Sequence, residues 1–238
     1  KLGSFWGYTF AGVWQEDDVN APFVDANGQT NGKTNGEVYK VKPGNSKYVD
    51  VNKDGVYNDA DQGIIGCGQP TFNWGWNNTF NYKNFDFSFF VVGFHGFDIY
   101  NATHQMGYNL IKSQQMAGVT PMRELLNRWT PTNTNTDIPG FVKGGTENKD
   151  FFSTRFVENG SFIKMKSITL GYTLPEATCR SLGINNLRVY ASVQNPFHIT
   201  KYSGLDPEAT MGSPLVQGVD WGAYPNSRNY LIGLNFSF

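Results

Sequence analysis

The chain has 238 residues, a formal net charge of −1 and only 16% charged residues. This balance disfavours nucleic-acid binding, which needs a basic surface, and no apolar run approaches the ~20 residues of a membrane-spanning helix. Aromatic residues reach 16% and are accompanied by 27 glycines. Such a composition is typical of β-barrels with interfacial aromatic girdles and of carbohydrate-binding surfaces.

Residues 1–70 are rich in Gly, Asn and Asp and show no sustained period, which predicts an ordered loop region. Within it, DVNKDGVYNDAD at 50–61 follows the template of an EF-hand calcium loop, with Gly55 at the turn. The alternative is an Asx-rich turn without metal, because aspartate replaces the usual final glutamate and no helical pattern precedes the loop. The predicted calcium ligands are Asp50, Asn52, Asp54, the Val56 carbonyl, Asn58 and Asp61.

From residue 71 onward, apolar and polar residues alternate. Two such runs, beginning at Phe72 and Phe85, flank Lys83-Asn84 and predict a β-hairpin. The polar segment 96–159 contains one helical pattern, at 120–129. Alternation with a period of two then predicts three further strands, at 161–174, 187–195 and 230–238.

The connections between these strands alternate in length. They are short at 83–84 and 175–186 and long at 95–160 and 196–227, as in outer-membrane barrels with short periplasmic turns and long extracellular loops. The sequence therefore predicts that the apolar face of each strand points to lipid, as for Tyr230 and Phe238 in the last one. The residues expected to point to lipid are Ile168, Leu170, Val189, Val193, Ile232 and Leu234.

Five strands cannot close a membrane-spanning barrel, for which about eight are the minimum. The remaining strands are expected upstream of Lys1, in a longer polypeptide. Residues 1–70 are then an extracellular loop region with a possible calcium loop, and 71–238 are C-terminal barrel strands with two long extracellular loops. Cys67 and Cys179 are expected on opposite sides of the membrane and therefore not bonded to each other.

Several stretches together resemble the C-terminal part of SusC/RagA-type TonB-dependent outer-membrane transporters. They are GSFWGYTFAGVWQ, KYVDVNKDGVYNDADQGIIG, PTFNWGWNNTFNYKNFDFSFFVVGFHGFDIYN, NRWTPTNTNTDIP, STRFVENGSFIKMKSITLGYTLP and LRVYASVQNPFHITKYSGLDPE, followed by a last strand that ends in phenylalanine. The resemblance covers essentially the whole chain.

The resemblance implies an all-β fold, an antiparallel, roughly 22-stranded transmembrane barrel closed by an N-terminal plug. It also implies import of glycan or peptide nutrients across the outer membrane of a Gram-negative bacterium, energised through TonB. A SusD-like lipoprotein is the implied surface partner, and the terminal aromatic Phe238 is similar to the signal read by the barrel-assembly machinery.

No catalytic motif is found, and the isolated His95, His104 and His198 lack the spacing of metal ligands, so the sequence does not predict an enzyme. Aromatic residues in the loops could contact a ligand or partner, or pack within the loops themselves. A soluble, extracellular glycan-binding β-sandwich with a calcium loop is the alternative to the transporter. The candidate contact residues are Trp129, Tyr202, Trp221 and Tyr224.

Overall fold

A computed structural model describes residues 3–108, 121–140, 151–211 and 217–237. The predicted strand end at Phe238 lies outside these ranges. The chain divides into two compact units. The first unit comprises residues 1–67, 100–157 and 219–222, and the second comprises 68–99, 158–218 and 223–238.

Strands dominate the described residues. They are β1 (Ser4–Tyr8), β2 (Phe10–Val13), β3 (Pro22–Val24), β4 (Thr30–Thr34), β5 (Ser46–Tyr48), β6 (Gln62–Cys67), β7 (Phe72–Tyr82), β8 (Phe85–His95), β9 (Asp98–Asn101), β10 (Val157–Asn159), β11 (Phe162–Thr173), β12 (Asn186–Thr200), β13 (Val219–Asp220) and β14 (Asn229–Ser237).

Helices are few and short in the described ranges. The α-helices are Glu16–Asn20, Asn35–Tyr39, Ala102–Tyr108 and Glu176–Ser181, and the 3-10 helices are Asp59–Asp61, Arg123–Asn127, Thr154–Phe156 and Pro207–Met211. The helical pattern predicted at 120–129 thus corresponds to the single short 3-10 helix that begins at Arg123. In the ranges described, no helix has both the length and the apolar character needed to cross a membrane.

The second unit contains a five-stranded antiparallel sheet in the order β14-β12-β11-β8-β7. The predicted hairpin is confirmed, since β7 pairs with β8 in unbroken register from Phe72 opposite His95 to Tyr82 opposite Phe85. Lys83 adopts a left-handed conformation, with φ of 54°, as two-residue hairpin turns require. All five predicted strands are strands of this one sheet.

The strand predicted at 187–195 is longer than expected, because β12 continues through Pro196 to Thr200. The register of β11 against both neighbours shifts between Met165 and Ser167. A bulge at this point tolerates a proline, which has no N–H to donate. The bulge also inverts the alternation of β11, so that Met165 and Ile168 lie on the same face of the sheet.

The first unit contains more regular structure than the prediction of an ordered loop region at 1–70 specifies. Residues 3–67 form three two-stranded antiparallel ribbons, β1–β6, β2–β5 and β3–β4. Their strands are only three to six residues long, too short for a period of two to stand out from the Gly- and Asn-rich background. Later in the chain, Val219 and Asp220 pair in parallel with Tyr100 and Asn101.

Each unit has its own aromatic core. In the first, Phe5, Tyr100, Ala102 and Phe156 form a buried cluster. A second group of stacked rings in this unit joins Tyr8 to Phe151 and Tyr39 to Tyr57. In the second unit, the buried residues Phe97, Ile99, Phe162 and Tyr202 form the core cluster.

Candidate functional site

One face of the five-stranded sheet is apolar and exposed. Cross-strand pairing aligns its side chains in rows, of which one joins Phe80, Phe87, Leu170, Ala191 and Ile232. The next row joins Tyr82, Phe85, Tyr172, Val189 and Leu234. Ile232 is 85% exposed and Leu170 is 51% exposed. Leu170, Val189, Ile232 and Leu234 lie in these two rows, and Ile168 pairs with Val193 in the adjacent row on the same face. The six residues predicted to point to lipid therefore share one face of the sheet.

The opposite face of the sheet is polar. Asp86 accepts hydrogen bonds from Nε and a terminal nitrogen of Arg188, the first at 2.8 Å. One row further along, the hydroxyls of Thr169 and Ser192 lie 2.8 Å apart. Two-point pairing of a guanidinium with a carboxylate is among the stronger hydrogen-bonded geometries. This face therefore suits contact with water, polar solutes or another polar domain.

Two glycines shape the polar face around Tyr190. Gly171 and Gly233 are its cross-strand neighbours on either side. A methyl group at Gly233 would overlap the Tyr190 ring, and one at Gly171 would overlap the Asp86–Arg188 pair. The Arg188 guanidinium lies 5.0 Å from the centre of the Tyr190 ring. The glycines thus let these three side chains lie flat along the sheet.

Replacing Gly233 by alanine should therefore destabilise the sheet by ~1–3 kcal/mol, because overpacking forces side chains off their rotamers. Gly63 is the matched control, since a methyl group there meets no atom within 4 Å, and its replacement should cost less than ~1 kcal/mol. Denaturant unfolding of the complete protein measures both effects. Equal costs at the two positions would contradict the packing argument.

A buried ion cluster lies on the polar face beyond the bulge. Lys164 is 2% exposed, and its ammonium lies 2.8 Å from Asp206 and 2.7 Å from Glu208. Lys166 also pairs with Glu208. Asn226 donates to Asp206 through its backbone N–H and its amide, both at 3.1 Å. These contacts attach two segments to β11. One is the segment that follows β12, and the other is the segment that leads into β14.

The carboxyl groups of this cluster are held ionised. Burial alone would raise the pKa of Asp206, but hydrogen bonds from Lys164 and from the backbone of Asn226 lower it below its ordinary value. The pKa of Glu208 is likewise lowered, because Lys164 and Lys166 together outweigh burial. The stabilisation from these two acids is therefore present above the ordinary carboxyl pKa of about 4 and is lost as pH falls through their lowered values.

The predicted calcium loop forms a network of short-range hydrogen bonds. Oδ2 of Asp50 accepts from the backbone of Gly55 and from the hydroxyl of Tyr39, both at 2.8 Å. The amides of Asn52 and Asn58 both donate to Asp54, at 2.9 and 3.1 Å. Asn58 also donates to the Val56 carbonyl at 3.2 Å. The buried Asp61 accepts from the backbones of Val51 and Asn58.

The loop therefore closes on itself through hydrogen bonds. Among the described residues, no group of three or more His, Cys, Asp or Glu side chains is placed to hold a metal ion. One acceptor is left over, because Oδ1 of Asp50 is buried and has no hydrogen-bond partner. Burial raises the pKa of the neighbouring Tyr39, and the adjacent carboxylate of Asp50 raises it further. Burial also raises the pKa of Tyr57 to about 12.

The four candidate contact aromatics separate into two pairs. Trp129 packs on Gly44 and Gly140 and donates from its indole to Gln15 at 2.9 Å. Tyr202 is 5% exposed in the core of the second unit. Its ring is enclosed by the chain itself, and its role in ligand or partner contact stays a prediction. Trp221 and Tyr224 are exposed and stay candidates.

Sequence reasoning missed the buried ion cluster. Lys164 follows the alternation of β11 and resembles any solvated lysine, and its partner Asp206 is 42 residues further along the chain. The Asp86–Arg188 ion pair was also not predicted from the sequence, since the two residues are 102 positions apart. Neither cysteine forms a disulfide: Cys67 lies in β6, and Cys179 is buried in the helix Glu176–Ser181.

Comparison with known proteins shows relatives across the whole chain. The chain is 34% identical over 243 residues to TonB-dependent receptor P3 of Formosa agariphila, and all of this chain is covered. It is 32% identical over 199 residues to TonB-dependent receptor SusC of Bacteroides thetaiotaomicron, with 83% of this chain covered. The chain spans only 22% and 18% of the lengths of these two relatives. No family model matches it.

Solved structures share the fold. The structure of the RagAB peptide transporter superposes with a TM-score of 0.70 at 23% sequence identity, covering 99% of this chain and 22% of that one. The RagAB peptide importer in its open-open state gives a TM-score of 0.69 at 22% identity, with the same coverage. At these identities the likeness shows the fold alone.

The long antiparallel strands, with one exposed apolar face and one polar face, define this chain as a segment of an outer-membrane β-barrel protein. With the relatives named above, the chain belongs to the SusC/RagA family of TonB-dependent receptors. The predicted resemblance is confirmed, and so are the all-β fold and the location in the outer membrane of a Gram-negative bacterium.

Proposed function

We propose that the chain supplies the C-terminal barrel strands of a TonB-dependent importer of glycan or peptide nutrients. The observation that carries the proposal is the five-stranded sheet, whose exposed face is apolar and whose other face is polar and ion-paired. The edge strands β7 and β14 expose backbone groups that hydrocarbon cannot solvate. Strands from the rest of the parent polypeptide would pair with them and close a barrel of about 22 strands.

The partners follow from the relatives and belong to the same proposal. SusC and the RagAB transporter favour a SusD-like surface lipoprotein as the partner that delivers the ligand. The plug and the site that binds TonB would lie in the parent polypeptide outside this chain. This chain would contribute to transport as the wall of the passage, and no catalytic step is assigned to it.

The alternative of a soluble β-sandwich is disfavoured by the same sheet. A sandwich buries one face of each sheet against a second sheet about 10 Å away. Here Leu170, Ile232 and Leu234 are more than half exposed on the apolar face. In water, a patch of this extent would promote association, whereas in a bilayer it meets lipid.

Spin labels test the orientation of the sheet. Labels at Ile168, Leu170, Val189, Val193, Ile232 and Leu234 of the complete protein in lipid should be accessible to oxygen and shielded from a water-soluble relaxant. Labels at Asn235 and Ser237 should report the reverse, because period-two alternation places them on the other face. Water contact at the first set together with lipid contact at the second would show that the register is wrong by one residue.

We propose also that the loop from Asp50 to Asp61 binds calcium. Support comes from the buried, unpartnered Oδ1 of Asp50 and from Gly55, whose φ of 83° allows the sharp turn. Convergence of Asn52 and Asn58 on Asp54 brings further amide and carboxylate groups close together. The carboxylates among the predicted ligands are those of Asp50, Asp54 and Asp61. Amide and carbonyl oxygens would therefore have to supply the remaining ligands.

Calcium should then protect this loop from proteolysis. The unmodified protein is expected to be cleaved in the loop more slowly in calcium than in chelator, because ligation restrains an otherwise exposed turn. Asp54→Ala should remove this difference. Asp59→Ala is the control, since Asp59 is exposed and is not among the predicted ligands. Equal cleavage of the unmodified protein in both buffers would return the segment to an ordinary Asx turn.

A further inference from the structure

A cavity of about 390 Å³ lies in the second unit where β12 and β14 separate. Pairing of these strands ends at Gln194 opposite Asn229, whereas β12 continues to Thr200. The gap between the end of β12 and the segment before β14 is therefore left open. Its wall includes Lys164 and Asp206 from the buried cluster, His198 from β12, and Arg228.

The charges in this wall are not balanced. Within the buried cluster, the two ammonium groups of Lys164 and Lys166 balance the two carboxylates of Asp206 and Glu208. The side chain of Arg228, by contrast, makes no hydrogen bond or ion pair with the residues that the structure describes. A guanidinium beside a cavity with no carboxylate of its own favours an anionic ligand, which it can bind through two parallel hydrogen bonds.

The cavity also borders the apolar face of the sheet. Phe197 and Tyr230 line it and are 49% and 71% exposed. Both lie in the apolar rows, because Phe197 pairs with Met165 and Tyr230 pairs with Val193. A ligand here would meet a cation and aromatic rings on the hydrocarbon side at once. This combination recognises an amphiphile with an anionic head rather than a small anion free in water.

We infer that this cavity binds the phosphate of a phosphorylated lipid headgroup. Arg228 would donate to the phosphate oxygens, and Phe197 and Tyr230 would pack on the first part of the acyl chains. The inference rests on the proposed orientation of the apolar face toward lipid. In that orientation the cavity lies at the end of the sheet with the long connections, which is the outer leaflet.

The test uses the complete transporter that contains this chain, purified in detergent, and lipid A as the probe. Native mass spectrometry titration compares bis-phosphorylated lipid A with its dephosphorylated form. Arg228→Gln should weaken binding of the phosphorylated lipid about tenfold, through loss of charge-assisted hydrogen bonds. The dephosphorylated lipid should bind the unmodified protein just as weakly. Lys201→Gln is the control, because Lys201 is an exposed cation close to His198 that does not line the cavity.

Two outcomes would overturn the inference. The first is equal affinity of Arg228→Gln and the unmodified protein for phosphorylated lipid A. The second is displacement of the lipid by millimolar inorganic phosphate, which would make this a site for free phosphate. Failure of the proposed function is detected separately, by spin labels that report water on the apolar face.

Discussion

Replacing Lys164 by methionine is expected to lower the free energy of unfolding by about 3–5 kcal/mol, because a buried charge is left without its partner. Asp206 is nearly as buried as Lys164, so water cannot replace the lost ammonium. Methionine keeps most of the side-chain volume and removes only the charge. Denaturant unfolding of the complete protein measures the loss, and limited proteolysis of the segment after β12 shows whether it has been released.

Lys166→Met is the matched control for this prediction. Lys166 pairs with the same Glu208 but is 30% exposed, so its loss should cost at most about 1 kcal/mol, as for other solvent-screened pairs. The penalty of Lys164→Met should also shrink as pH falls, because protonation neutralises the stranded Asp206 and Glu208. A penalty that is equal for both lysines, or independent of pH, would contradict the role given to the cluster.

Replacing Leu170 by arginine should cost about 2–4 kcal/mol of barrel stability, since a charge on the lipid face near mid-membrane must leave water. Leu170 lies between Phe87 and Ala191 in an apolar row of the sheet. Neither neighbour offers a partner to a guanidinium. Folding into lipid vesicles, followed by urea titration, measures this effect.

Thr169→Arg is the control one residue away. Thr169 lies on the polar face opposite Ser88 and Ser192, where a long cation can reach water, so the cost should be smaller than for Leu170. The ratio of the two effects identifies the lipid face directly. If Thr169→Arg proved the more costly change, the two faces would be reversed and the transporter proposal would fail.

The strands of the sheet were predictable because each extends for nine or more residues and alternates strongly. Phe72 to Tyr82 and Asn229 to Ser237 show this most clearly. The ribbons of the first unit were not, since a strand such as Pro22–Val24 contains too few residues to display a period. The alternation of apolar and polar residues therefore predicts a strand only where the strand spans several periods of two residues.

The site was less predictable than the fold, because its contacts are distant in sequence. Nothing around Lys164 indicates that it is buried, and nothing around Tyr202 indicates that it belongs to a core. Both facts depend on the path of the chain after β12, which period-two alternation does not describe. The calcium loop is the opposite case, since all of its predicted ligands lie within twelve consecutive positions. Whether calcium occupies this loop is the question that the sequence does not answer.

The bulge in β11 has a consequence for how this strand can evolve. The bulge adds one residue to β11 relative to β8. For this reason the odd-numbered Ile163 and Met165 lie on the same face of the sheet as the even-numbered Ile168 and Leu170. Substitutions along β11 change one side chain each. Deletion or insertion of a single residue in β11 would instead turn every following side chain of the strand to the opposite face. Side chains that contacted hydrocarbon would then contact water, and the reverse. Selection on this strand should therefore constrain its length more tightly than its composition.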